Sequence, residues 1–428
     1  MNRSNPFDDP LDRILAEVAI RIQLPPSRYE LACQRYRSVA EFAERPGSPL
    51  KDRITRFYPQ GSMAIGTTIV TRGTEQDFDI DIVAELNLPL GSDPAKVLGA
   101  LYLAIAGERG SRYFNMVKRR TRCITVYYDD GMHIDITPVI RRLDRVERTS
   151  DLFHDDPDKP SEPPVTLLMN AWGFAQVFKE RTADTTSFAE NYSRSRWARD
   201  TQRKAETEKV DPQEDPARKS SDVVALRLVK HSRNIQYANR QGRMPPSVLL
   251  SKYVSDAASP VESLAQALRH HGAYIRSRLV TAEREQRLVY EVNPKCHEDC
   301  FTDRWPLNRA AQRLYLKDLD ELIAGIQQLQ RGDISIPEMQ VILVKLFGEF
   351  PVNAARSLNL SQRNWPDSDK MCCLIFDSVS RTERSCRQKR LWNTLLPCPP
   401  ISGVEKMVPT VGTFPGSTVD SPRFRLRF

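Results

Sequence analysis

Apolar residues recur at helical spacing over residues 10–24 (Leu11, Ile14, Leu15, Val18, Ile22) and 28–44 (Leu31, Tyr36, Val39, Phe42), predicting two N-terminal helices. The period then shortens. Residues 54–58 read as a short strand and 77–86 as a strand in which acids alternate with apolar side chains. Helical spacing returns over 94–106, and strand candidates follow at 113–118, 123–128 and 132–139, with Asp129-Asp130-Gly131 as the tight turn before the last. Residues 144–164 are charged and contain proline, so they read as a loop or junction, and 166–179 read as a helix. Residues 181–220 are polar, with only Phe188, Tyr192, Trp197 and Val210 as large apolar side chains, which predicts a linker or exposed segment. Helical patterning then dominates: 222–238, 247–258, 261–279, 306–330 and 337–347. Beyond about residue 370 periodicity fades and a poorly ordered basic tail is expected. This order implies an α/β first half and a helical second half. The corresponding divisions are 1–50 for the N-terminal helices, 51–180 for a core, 181–220 for the linker, 221–370 for the helical part and 371–428 for the tail.

The acidic strand changes the picture from architecture to chemistry. Successive strand side chains alternate faces, so Asp77, Asp79 and Asp81 project to one side while Phe78, Ile80 and Ile82 project to the other. Carboxylates crowded on one face repel unless cations join them, which points to a divalent-metal site. The later strand Met132-His-Ile-Asp-Ile-Thr-Pro138 places one acid, Asp135, in a largely apolar run, where a lone carboxylate is costly unless paired or metal-bound. Asp135 is therefore the natural third ligand. Two ions about 3.5–4 Å apart can activate an attacking oxygen and stabilise a leaving one in a nucleotidyl displacement. Magnesium keeps waters and substrate phosphates among its ligands, so three carboxylates are enough protein to hold such a pair; Mn²⁺ is the alternative ion. Upstream, Gly61 permits close backbone approach to a triphosphate, and Ser62 offers a hydroxyl to its oxygens.

Charge narrows the partners. The net charge is +8, but residues 371–428 hold nine Lys and Arg against four Asp and Glu, so the tail carries five of those eight charges. The remaining chain is close to balanced and does not support a general nucleic-acid surface. No apolar run approaches the ~20 residues of a membrane span. The first residues lack the apolar region of a signal peptide, and eight irregularly spaced cysteines suit reduced thiols, so a cytoplasmic location is expected.

Gly61-Ser62, the Asp-Phe-Asp-Ile-Asp strand and the Ile-Asp-Ile-Thr-Pro strand resemble the nucleotidyltransferase fold of DNA polymerase β and, within it, the bacterial cGAS/DncV-like nucleotidyltransferases. Leu226-Arg-Leu-Val-Lys230-His-Ser-Arg233, Pro246-Ser247-Val-Leu-Leu, Val292-Asn293-Pro294 with Phe301-Thr-Asp-Arg-Trp305, and Leu346-Phe-Gly-Glu349 are similar to landmarks of that family's helical half. The resemblance covers roughly residues 30–356. It implies an α+β fold, a polymerase-β-like mixed sheet with N-terminal helices followed by a helical bundle, with the active site in the cleft between them. It also implies a metal-dependent enzyme joining nucleoside triphosphates into a cyclic di- or trinucleotide for anti-phage signalling, its product bound by a separate effector protein, and a regulatory protein partner. By position Asp79 and Asp81 match the paired metal ligands and Asp135 the third carboxylate, which activates the attacking ribose hydroxyl. Gly61 and Ser62 would contact the donor triphosphate, with Lys230 and Ser247 as a further phosphate-binding pair. Asp77 shares the face of the other two acids, so Asp77/Asp79 is an open alternative; Asp79/Asp81 is favoured because Asp81 runs directly into Ile-Val-Ala.

Plainer readings compete. An acidic strand can be a charged edge, a helical lysine such as Lys230 is commonly solvated, and Ser247 after Pro245-Pro246 would serve as a helix N-cap whatever the function. Cys296-His-Glu-Asp-Cys300 invites a zinc reading, but no second Cys/His pair with convincing spacing lies near. Trp172, Phe174 and Phe178 have the spacing of a core helix. Among functions, a template-independent enzyme making linear chains and an inactive nucleotide- or RNA-binding sensor are the alternatives.

Overall fold

The computed structural model describes residues 9–69, 78–182, 220–259 and 263–353, all within a compact unit, Met1–Asn364. Asp77, most of the 181–220 linker and the whole 371–428 tail lie outside the described residues.

A seven-stranded mixed sheet carries the site. Its strands are β1 (Ile54–Pro59), β2 (Phe78–Leu86), β3 (Val117–Arg119), β4 (Ile124–Tyr127), β5 (Met132–Arg141), β6 (Ser150–His154) and β7 (Val165–Met169). The order is β1-β2-β5-β4-β3, with β6 on the far half of β5 and β7 beside it. β2 and β5 run parallel at the centre; β1, β4 and β6 pair antiparallel with them. β5 changes partner midway: Met132's half faces β4 up to Ile136, and from Val139 onward the same edge faces β6. Pro138, with no N–H to donate, stands at that changeover.

Alternation on β2 divides the sheet into two faces. Ile80, Ile82, Ala84 and Leu86 are buried with Ile134 and Ile136 of β5, under helices α2 (Pro26–Ala43) and α4 (Pro94–Ala106). Each fully buried aliphatic side chain contributes roughly 1.5–3 kcal/mol, so one face of β2 is held firmly against the core. The other face carries Asp79 and Asp81, then Val83 in a small cluster with Tyr58, Val139 and Met169. A one-residue slip would exchange these faces, and the apolar set therefore fixes where the acids point.

Two stretches differ from the sequence reading. Residues 144–164, expected to be a loop, contain β6, in which Ser150 and Asp151 are buried and Arg142 Nε donates to Asp151 Oδ1 at 2.7 Å. Polar residues buried inside the protein erase the apolar alternation that marks a strand. Residues 166–179, expected to be one helix, divide into β7 and α5 (Ala171–Arg181) at Asn170, whose side chain accepts from Gly173 N at 2.7 Å as the helix cap. The run Val-Thr-Leu-Leu-Met is short and apolar, and pairing with β6 decides its state. The expected strand 113–118 shrinks to β3, because Tyr113 turns into the core against Phe42, ring centroids 5.0 Å apart.

The helical half comprises α6 (Ser221–Tyr237), α7 (Ser247–Asp256), α8 (Leu264–Arg284), α9 (Arg309–Arg331) and α10 (Ile336–Phe347). Between α8 and α9 a small hairpin, β8 (Val292–Asn293) and β9 (Cys296–Cys300), packs against β7. A buried polar knot joins it to the sheet: Asn293 Nδ2 donates to Asn170 O, and Asp299 Oδ2 accepts from Asn170 N and Asn293 Nδ2. Helix α1 (Pro10–Ile22) instead serves the helical half. Its Asp12 carboxylate accepts from Ser263 Oγ and from the N–H groups of Leu264 and Ala265, capping α8 from another element.

Candidate active site

Parallel register between β2 and β5 sets Asp81 beside Asp135 and Asp79 beside His133. His133 Nδ1 lies 3.2 Å from Asp79 Oδ1, and Thr125 of β4, opposite Asp135, donates its hydroxyl to Asp135 Oδ1 at 2.5 Å. One oxygen of each of these carboxylates is thereby oriented while the other stays available. Burial, then repulsion from Asp135 and Asp79, pushes the Asp81 carboxyl up to about 7, with Lys230 pulling the other way. Asp135 is raised as well, first by burial, against the Thr125 hydrogen bond.

Gly61 opens the one-turn helix α3 (Gly61–Ala64) with φ +56°, a conformation that favours glycine. A Cβ there would stand 2.4 Å from Asp81 Oδ2, so the carboxylate fits only against a bare Cα. The Gln60 N–H donates to Asp81 O at 2.9 Å and ties the turn to the acidic strand.

Opposite the acids, α6 presents Arg227, Lys230 and Arg233 at i, i+3, i+6, all three buried to within a few per cent. Their partners are neutral. Arg227 donates to Gln23 Oε1 and to Gly66 O (2.7 Å to the latter), and Lys230 Nζ to Thr67 O at 3.0 Å. Arg233 donates to Pro245 O at 2.6 Å and, from both terminal nitrogens, to Ser247 Oγ at 3.2 and 3.3 Å. Burial, and then Arg233 and Arg227, bring the Lys230 ammonium down to about 7, although Asp81 favours its charge. Lys230 is thus no solvated helix lysine. Nor is Ser247 a cap: Pro246 occupies the N-cap of α7, and the Ser247 oxygen accepts from Arg233, leaving its own hydrogen free to donate elsewhere.

Gly61, Ser62, Asp79, Asp81, Lys230 and Ser247 line one cavity of about 740 Å³ between the sheet and the helical half. Asp135, beside Asp81 on the neighbouring strand, is not part of the lining. No three His, Cys, Asp or Glu side chains among the described residues are already closed into a ligand set. The donor chemistry nonetheless suits Mg²⁺: carboxylate oxygens only, mutually repelling, at sites that an ion shares with water and phosphate. Phe174 and Phe178 pack in the core as expected, Phe174 edge-on to Phe301 at 5.1 Å, and Cys300 faces the cavity from β9 while Cys296 is buried. The sequence reading passed over Arg227 and Arg233, although their spacing from Lys230 placed all three on one helical face. Thr125 and His133 gave no such signal, because only strand register brings them to the acids.

The sheet, the paired acids and the glycine turn define a nucleotidyltransferase. The signature of the Second Messenger Oligonucleotide or Dinucleotide Synthetase domain matches residues 11–155. The chain is 40% identical over 348 residues to the cyclic dinucleotide synthase CdnG of Bradyrhizobium diazoefficiens, covering 81% of this chain and 82% of that protein. It is 20% identical over 350 residues to a c-di-GMP synthase of Roseivirga ehrenbergii, covering 80% and 85%. The solved structure of the Bradyrhizobium CD-NTase CdnG in complex with GTP superposes with a TM-score of 0.71 at 38% identity, covering 82% of this chain and 99% of that one. The chain belongs to the CD-NTase family, and the resemblance read from its motifs, the α+β fold and the cyclic oligonucleotide synthase activity are all borne out.

Proposed function

We propose that this enzyme joins two nucleoside triphosphates into a cyclic dinucleotide, with GTP as a substrate, and that Asp79, Asp81 and Asp135 form its metal site. The observation that carries this reading is that Asp79 and Asp81, with Asp135 in register beside Asp81, share one cavity with the buried Lys230: one wall suits cations, the other an anion. The relatives' products and the GTP complex of CdnG support the choice of dinucleotide and base.

In this reading Ser62, the Gly61-Ser62 backbone, Lys230 and Ser247 hold the donor triphosphate. Its charge compensates the buried α6 cations, which have only neutral acceptors at present. Bound Mg²⁺, as two ions or with Mn²⁺ in its place, would neutralise the three carboxylates and polarise the α-phosphate. Asp135 takes the proton of the acceptor ribose hydroxyl through the oxygen that Thr125 leaves free. The hydroxyl oxygen bonds to the α-phosphorus, the bridge to the β-phosphate breaks, and pyrophosphate departs with that electron pair. A second transfer, from the triphosphate end of the linear intermediate, closes the ring. An anti-phage role in the cytoplasm, an effector protein that binds the product and a regulatory protein partner complete the reading on family grounds. No described helix is long and apolar enough to cross a membrane.

The test incubates purified protein with four labelled NTPs and Mg²⁺ or Mn²⁺, treats the products with phosphatase and analyses them by mass spectrometry. Phosphatase-resistant cyclic dinucleotide is expected. A ladder of linear chains would favour a template-independent polymerase, and no product under any metal would favour an inactive sensor.

A further inference from the structure

The cavity holds a second concentration of positive charge, away from the α6 row. Arg122 comes from the β3–β4 turn, Arg304 from the loop between β9 and α9, and Arg243 from the loop between α6 and α7; all three line the cavity. Arg122 Nε and Arg304 Nη2 lie 3.1 and 3.3 Å from the same atom, His154 Nδ1. A guanidinium can only donate, so that nitrogen accepts both bonds and the imidazole is neutral, with its proton on Nε2. The flanking arginines hold the His154 ring below its ordinary range, after burial. Arg304 also donates to Thr121 Oγ1 at 3.1 Å, another neutral acceptor, and is lowered by burial and then by Arg122, with Arg243 adding to the repulsion.

Among the described residues three carboxylates bear on this group, Asp156 only through its charge on His154. Asp303 pairs with Arg122 at 2.5 Å, and Asp299 commits one oxygen to Asn293 and the Asn170 N–H, with burial pushing it toward its neutral form. Three guanidiniums from three separate loops therefore meet one directly paired carboxylate, Asp303, among the described residues. Guanidiniums assembled against their mutual repulsion are stabilised by a polyanion, and their forked donors suit phosphate oxygens.

The reaction supplies such an anion. While the donor chain lies against α6, the acceptor nucleotide brings a triphosphate of its own, which is not consumed in the first transfer and needs a separate place. We propose that Arg122, Arg304 and Arg243 form a second anion site that holds the 5′-triphosphate of the acceptor nucleotide during the first transfer. This rests on the nucleotidyltransfer reading above. It makes the acceptor's phosphates a determinant of recognition, independent of its base, and gives the cavity a donor end at α6 and an acceptor end at the β3–β4 turn.

The test separates the acceptor from the donor. The donor is the dideoxy form of an NTP that the wild type incorporates, which has no hydroxyl to attack with; the acceptor is the same NTP, its monophosphate or its nucleoside. Linear product capped by the dideoxy residue is quantified by mass spectrometry against acceptor concentration. For the wild type, the triphosphate acceptor should have a KM at least about tenfold below that of the nucleoside. Arg122→Gln, Arg304→Gln and the exposed Arg243→Gln should each raise the KM of the triphosphate acceptor about tenfold while leaving those of the nucleoside and the donor unchanged. Equal wild-type KM values for the triphosphate and nucleoside acceptors would overturn the proposal. So would variants that weaken both acceptors alike, the mark of a base-reading or structural role. If Arg304→Gln fails to fold, the Arg243 and Arg122 variants decide. Absence of any dideoxy-capped product from the wild type would instead bring down the nucleotidyltransfer reading itself.

Discussion

The acidic face of β2 and β5, which reaches the cavity through Asp79 and Asp81, and the cationic face of α6, which reaches it through Lys230 and Arg233, are built on different terms. The strands unite residues more than fifty positions apart, Asp81 and Asp135, through register alone, and leave Asp79 with 53% of its side chain exposed. The helix gathers Arg227, Lys230 and Arg233 within seven residues and keeps them no more than 3% exposed. Asp79, open to water, can rearrange as ions arrive and leave. Cations locked among carbonyls and a glutamine are preorganised for an anion and need little reordering when it binds. Under the proposed function, the difference gives adaptable ligation to the sheet and fixed phosphate recognition to the helix.

Removing the acids should break this contrast most severely. Asp79→Asn, Asp81→Asn and Asp135→Asn are each expected to lower kcat by about 10²–10⁴-fold in the product assay, with folding retained by circular dichroism. Asp77→Asn should keep activity; an inactive Asp77 variant beside an active Asp81 variant would transfer the ligand pair to Asp77/Asp79. Gly61→Ala tests the same wall through geometry. The new methyl would occupy the space of Asp81 Oδ2, at 2.4 Å, from a backbone with φ +56°. A displaced carboxylate on this scale costs about 10²-fold in rate, and near-wild-type turnover would show that Asp81 functions from another position.

Much of the acidic wall was legible in the sequence because strand alternation is a period of two and an acid in an apolar run is conspicuous. Gly61, Ser62, Asp79 and Asp81 could be placed near one another from motif spacing. What could not be read was anything set by tertiary contact. Only the family resemblance marks Lys230 for phosphate; by residue type it reads equally as a surface lysine, since burial of a helix face by α7, α8 and the segment Gly66–Thr67 leaves no mark in the residues themselves. Ser247 is likewise marked for phosphate only by the resemblance, against the plainer reading as a cap, and the Arg233 guanidinium shows what its oxygen does. In the fold, β6 was lost because Ser150 and Asp151 are buried polar residues, and β7 because five apolar-rich residues suit either a strand or a helix until a neighbour is present. The Arg122/Arg304/His154 group was invisible for the same reason: its members come from segments about 30 and 150 residues apart.

A smaller effect probes the helical side. Lys230→Met keeps the apolar stem and removes the charge, so the donor KM should rise about 10–100-fold, the worth of one charge-assisted hydrogen bond, with kcat less affected. A kcat loss as deep as that of the Asp81 variant, at unchanged KM, would mean that Lys230 acts on the transition state and that the division of labour between sheet and helix is wrong.

The mildest test reads stability, without substrate, where the two walls should respond to pH in different windows. Asp81 is raised from an ordinary value of 3.8 to about 7, so the folded state binds a proton that the unfolded chain releases, and its contribution to stability falls as pH climbs between those values. Lys230 is depressed from 10.5 to about 7, so the unfolded chain holds the proton that the folded state gives up, and its contribution grows as pH rises from about 7. Melting temperatures measured from pH 5 to 9 should therefore show Asp81→Asn gaining on the wild type below pH 7 and Lys230→Met losing ground to it above pH 7, by about 2–4 °C for each kcal/mol. Because the two groups attract each other, Lys230→Met should also shift the Asp81 window upward. Mg²⁺ with a non-hydrolysable NTP should flatten both differences, since each charge then has its counter-ion. If both variants instead track the wild type across the whole range, the two walls are not poised in charge as their burial implies, and the cavity is less starved of ligand than its buried cations indicate.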